Sequence, residues 1–152
     1  MKLGFGLYRH MLNEDHYRFA KQCGATHLVV HLVDYFNAFG DGTLDAAQPV
    51  GGKKGGGKTG TVNPFWTLEE LVSLKKEINQ NGLELAAIEN LDPALWHDIL
   101  LDGPKREEQL EQVKTIIRRM GEAGIPCLGY NFSIAGVAGR TEGDYARADA
   151  TS

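Results

Sequence analysis

Four clusters of polar side chains could do chemistry in this chain. They are Tyr8-Arg9-His10, His31 with Asp34, Glu89-Asn90, and Tyr130-Asn131 with Ser133. Each follows directly on a short apolar run. Between them they offer a guanidinium suited to a carboxylate, imidazoles and a carboxylate able to take or hold protons, and phenol and amide groups that bind hydroxyls. That mixture suits a polar pocket. Plain structural roles compete with this reading. His31 could bond a neighbouring carbonyl, Tyr130 could fill a core with its hydroxyl at the rim, and Arg9 and His10 could be solvated loop residues. Asp34 is read more simply as a loop cap, and His16 and His27 as structural. Glu89 is harder to dismiss, because a carboxylate ending a wholly apolar strand needs a partner or a metal.

The match Gly52-Lys53-Lys54-Gly55-Gly56-Gly57-Lys58-Thr59 satisfies the pattern of a phosphate-binding loop. That mechanism needs a strand before the loop and a helix after it, so that backbone amides and the helix dipole meet phosphate. Ala47-Gln48-Pro49 precedes and Gly60-Thr61-Val62-Asn63-Pro64 follows, which is neither. The segment is read instead as a lid-like loop whose lysines help draw in an anion.

Positioning these groups requires elements, and the elements repeat. Three times an amphipathic helix runs out at a glycine (Gly24, Gly82, Gly124) and a short apolar strand begins. Glycine supplies the left-handed residue that closes a helix, and near-continuous apolar strands suit a parallel sheet buried on both faces. Expected strands lie at about 2–8, 27–32, 83–89 and 127–132. The first helix is capped by Asn13 and buries Phe19, Ala20 and Cys23. The second opens on a capping box, Thr67 with Glu70, and a staple of Trp66 on Leu71, and continues its face through Leu74 and Ile78. A short helix from Pro93 to about Leu100 follows Asp92. A long helix from about Pro104 presents Leu110, Val113, Ile117 and Met120. In such α/β units ligands gather beyond the carboxyl ends of the strands. The four polar clusters all fall there, while the opening ends look bland.

The alternation predicts an α/β fold of the (β/α)8 barrel type. A full barrel needs ~250 residues, and four strands make half of one. Residues 1–135 are expected to be an N-terminal half barrel with a Gly/Lys-rich insertion at 37–64, followed by an irregular tail at 136–152. Two copies completing each other is the alternative. A net charge of −4, with basic residues scattered, argues against a nucleic-acid or membrane-surface partner. Two cysteines, Cys23 and Cys127, make no CxxC and no disulfide framework. With no signal-like segment and no apolar run near ~20 residues, a cytoplasmic protein is expected.

The run Gly82 to Glu89, the segment Trp96-His97-Asp98-Ile99, then Ile116-Ile117-Arg118, Ala123-Gly124-Ile125 and Gly129-Tyr130-Asn131-Phe132, together resemble the mannonate dehydratase family. The resemblance covers about residues 66–141, with Gly6-Leu7-Tyr8 a weaker match. Arg140 matches an arginine of the family's next stretch, whose aspartate and tryptophan are missing here. The resemblance implies dehydration of D-mannonate to 2-keto-3-deoxy-D-gluconate with a divalent cation, Mn²⁺, and a homo-oligomer at full length. The family's metal ligands come from later strands, so none is assigned here. On this reading Arg140 or Arg9 pairs the carboxylate, and Tyr8, His10, His31, Glu89, His97, Tyr130 and Asn131 hold the rest of the sugar acid. The alternatives are a sugar isomerase or epimerase of the xylose isomerase-like barrel group, and a non-catalytic half barrel that binds sugar acids.

Overall fold

The computed structural model describes residues 1–34 and 63–132. The Gly52–Thr59 motif, Ser133, Arg140 and the expected tail therefore lie outside the described residues, as does most of the 37–64 insertion. The elements run β1 (Gly4–Tyr8), α1 (Glu14–Gln22), β2 (His27–His31), α2 (Leu68–Gln80), β3 (Glu84–Glu89), α3 (His97–Leu101), α4 (Arg106–Glu122) and β4 (Leu128–Gly129). Short 3-10 turns at Arg9–Met11 and Pro93–Leu95 follow β1 and β3. All pairings are parallel and the strand order is β1-β2-β3-β4. The chain is thus α/β. Among the described residues its sheet does not close, as expected of part of a barrel.

Local chemistry explains the junctions. Gly24, Gly82 and Gly124 all have φ between 68° and 84°, a region other residues enter at a cost. After each, the next amide reaches back to close the last turn: Ala25 N to Ala20 O at 3.0 Å, Leu83 N to Ile78 O at 3.3 Å and Ile125 N to Met120 O at 2.9 Å. All six of those residues are buried. At the other ends, Asn13 caps α1 and the Thr67–Glu70 box caps α2, with both reciprocal bonds present. Trp66 and Leu71 of the staple are both buried.

The core lies on one face of the sheet. Leu7, Val30 and Ile88 sit side by side in register and are fully buried. Against them pack Tyr17 and Ala20 of α1, Leu71 and Ile78 of α2, and Ile116 and Met120 of α4. The expectation of burial on both faces is corrected by Gly4, Gly6 and Tyr8, which are exposed on the other face of β1. Parallel strands joined in sequence by crossovers of one hand carry their helices on a single side.

Two helical faces also differ from the sequence reading. In α1 it is Tyr17 that joins Ala20 inside, while Phe19 is half exposed and meets Phe5 edge-on at 5.9 Å. Cys23 is exposed. In α4 the buried stripe is Gln109, Ile116 and Met120, and Ile117 is exposed. At about 100° per residue, Ile117 turns away from Ile116 in the direction opposite to Arg119. Arg119 reaches Trp66 O at 2.7 Å and lies over the Phe65 ring. Ile117 and Leu110 therefore occupy the flank facing away from α2. The sequence offered two overlapping apolar stripes, and the inner one was hidden because one of its members is a glutamine.

Candidate functional site

Glu84 and Glu89 are five residues apart, an odd spacing that would place them on opposite faces of a regular strand. A register shift interrupts the pairing: Leu28 faces Leu85, but Val29 faces Ala87, leaving Ala86 as the extra residue of a bulge. The bulge returns Glu89 to the face that carries Glu84. Two histidine–glutamate contacts then bracket this open face. His27 Nε2 lies 3.0 Å from Glu84 Oε2, and His31 Nε2 lies 3.5 Å from Glu89 Oε2. The first sits at the opening ends of β2 and β3, where Thr26 Oγ1 is 2.7 Å from His27 Nδ1. Those ends are therefore not bland, contrary to the expectation.

At the carboxyl ends a single layer runs across the whole sheet: Tyr8 opposite His31, His31 opposite Glu89, Glu89 opposite Gly129. The Tyr8 ring lies 4.8 Å from the His31 ring, and the His10 ring runs nearly parallel to Tyr8 at 6.2 Å. A Cβ added at Gly129 would come 3.3 Å from Glu89 Cγ, so the missing side chain makes room for the carboxylate. Arg9 stands beside Tyr8 and donates from Nη1 to Leu32 O at 2.9 Å. Arg9 lines a cavity of about 180 Å³ with Leu12, Trp66 and Glu70. That volume is below the ~300 Å³ at which ligand pockets begin.

Tyr130 and Asn131 extend beyond β4 and are exposed. The Tyr130 ring packs 5.2 Å from Phe132, which stacks on Trp96 at 5.0 Å. Asn90 leaves β3 with φ 67° and donates to Gly129 O at 2.8 Å, extending the β3–β4 ladder by one bond. His97 is engaged elsewhere. Its Nδ1 is 2.9 Å from Pro93 O and 3.1 Å from Gln109 Nε2, and its Nε2 is 3.2 Å from Asp98 Oδ1.

The structure thus brings Tyr8, His10, His31 and Glu89 together, with Arg9 and Tyr130 adjoining in sequence. His97 belongs to a polar knot around Gln109. Gly129 and the Ala86 bulge are the structural features of this layer that sequence reasoning missed. The odd spacing of Glu84 and Glu89 was the available signal for the bulge. Among the described residues no three of His, Cys, Asp and Glu converge in a way that could hold a metal ion. No helix among them is long and apolar enough to cross a membrane.

The chain is similar to proteins of known family. The family described as D-mannonate dehydratase (UxuA) matches residues 53–151, about two thirds of the chain. A mannonate dehydratase from Streptococcus pneumoniae is 41% identical over 71 residues, which are 47% of this chain and 19% of that protein. One from Geobacillus thermodenitrificans is 38% identical over the same length and shares. A crystal structure of mannonate dehydratase from Streptococcus suis superposes with a TM-score of 0.55 at 26% identity, covering 87% of this chain and 30% of that one. The chain spans less than a third of the length of these relatives.

Proposed function

The chain belongs to the D-mannonate dehydratase family, and on that premise we propose that it forms the substrate-side part of a sugar-acid hydro-lyase. The reaction removes the proton on the carbon next to the carboxylate and the hydroxyl one carbon further on. The two leave as water, and the enol left behind becomes the ketone of 2-keto-3-deoxy-D-gluconate. The observation that carries this reading is the in-register layer Tyr8, His31, Glu89 and Gly129 at the carboxyl ends of the strands. Barrel enzymes collect their chemistry at that end, and these groups suit hydroxyls rather than apolar ligands.

Within this proposal Arg9 or Arg140 pairs the carboxylate, and Tyr8, His10, His31, Glu89, Tyr130 and Asn131 make up the polyol side of the mouth; His97, held by Pro93, Gln109 and Asp98, is not among them. A divalent cation, Mn²⁺, belongs to the proposed reaction. The described residues do not fit it, since no three ligating side chains converge among them.

The test is a titration of the isotopically labelled 152-residue chain with D-mannonate, followed by NMR, alongside a turnover assay with Mn²⁺. Amide shifts are expected at Tyr8, His31, Glu89 and Gly129, without product. Shifts confined to His27 and Glu84, or none at millimolar ligand, would remove the proposed mouth. Product formation would show that the cation's ligands are already in this chain.

A further inference from the structure

We infer that His31 is a positioning residue, holding the Glu89 carboxylate so that Glu89 itself meets the polyol end of the substrate. The inference rests on the sugar-acid reading of the mouth and assigns a division of labour within it. The His31 side chain is only 17% exposed, against 47% for Glu89. Its Nε2 lies 3.5 Å from Glu89 Oε2, while its Nδ1 is enclosed with no hydrogen-bond partner among the described residues.

A neutral imidazole has one N–H to place. On Nδ1 it would be a buried, unpaired donor, and the lone pair of Nε2 would face a carboxylate. On Nε2 it lies on the side of the Glu89 carboxylate, 3.5 Å away, and only an acceptor is left unpaired. An unsatisfied buried donor facing no partner, combined with repulsion at the other nitrogen, is the costlier arrangement. The structure therefore assigns the Nε2–H tautomer. One carboxylate oxygen of Glu89 lies 3.5 Å from Nε2, an ion-pair separation rather than a closed hydrogen bond. The Tyr8 ring backs the imidazole, and Gly129 leaves the Glu89 side chain room.

The half-exposed carboxylate is then steered to accept from a hydroxyl. Its charge also orients the ligand. A sugar acid places its donors over β3 and its own carboxylate away from Glu89, because two carboxylates in contact repel. The ligand class is a polyhydroxy carboxylate bound in one direction.

The experiment uses the 152-residue chain labelled with ¹⁵N-histidine. Wild type should show His31 protonated on Nε2, assigned by the signals lost in His31→Gln. Glu89→Gln should erase that preference and leave the His27 signals unchanged. D-mannonate is the probe for affinity. His31→Gln retains an N–H where Nε2 was and should bind within about threefold of wild type, whereas His31→Ala and Glu89→Gln should weaken binding about tenfold, the loss expected for one charge-assisted hydrogen bond. An Nδ1–H tautomer in wild type, or full affinity in His31→Ala, would overturn the positioning role while leaving the sugar-acid site standing. If wild type fails to bind mannonate at all, the sugar-acid reading falls. The tautomer spectra still decide whether His31 and Glu89 act as a pair.

Discussion

Replacing Gln109 with leucine should cost about 2–4 kcal/mol of stability, although the helix it sits on is long and the new side chain is apolar. Gln109 is 2% exposed. Its Oε1 accepts from Asp98 N at 2.9 Å and Ile99 N at 3.2 Å, and its Nε2 donates to Ala94 O at 2.9 Å. One side chain of α4 thereby satisfies the first amides of α3 and a carbonyl of the turn before it. The helix is only five residues long and has no side-chain cap at its own N-terminus. Leucine keeps the volume but leaves three backbone groups without that partner, each worth roughly 1–3 kcal/mol when sealed from water. Ile99 is part-buried, so water can recover some of its loss, and the burial of leucine returns about 1–2 kcal/mol. Urea unfolding of wild type and Gln109→Leu measures the difference, and hydrogen exchange localises it. The amides of Asp98 and Ile99 should lose protection first. A loss below about 1 kcal/mol, with exchange at both amides unchanged, would refute the view that Gln109 is the cap of α3.

Ile116→Ala should cost about 2–5 kcal/mol and Ile117→Ala less than about 1, because only Ile116 faces the core; equal losses by urea unfolding would contradict the face assigned to α4. Thr67→Ala should remove about 1 kcal/mol through the lost capping box, and a variant of wild-type stability would show that α2 does not depend on it. Burial, and next the charge of Glu77, push the Tyr17 phenol above its ordinary range. The folded protein then keeps a proton that the unfolded chain releases near pH 10, so stability is complete below that pH and falls as pH rises further. Tyr17→Phe should flatten this alkaline decline in a pH series of thermal unfolding. An unchanged slope would assign the decline to other groups.

Much of the architecture was written locally. The glycine exits, the Asn13 cap and the Thr67–Glu70 box are short-range devices whose partners lie within a few residues, so they could be read from spacing alone. The parallel alternation follows from them, and it places Tyr8, His31, Glu89 and Tyr130 at one end of the sheet. Helix orientation was less legible. The face a helix buries depends on its neighbours: the spacing alone allows Leu110 and Ile117 inside, and the position of α2 on the Arg119 side turns them outward. Gln109 reads as a surface residue because three of its bonds go to backbone groups 10 to 15 residues away. The site itself was decided by register. In a regular β3, Glu89 would have turned into the core face, and only the cross-strand pairing, with Ala86 bulged out opposite Leu28 and Val29, sets it against His31. Composition and periodicity determine which residues can form strands and which ends carry polar groups. Which of those groups share a face depends on how neighbouring strands slide past one another, and that is a property of the assembled sheet.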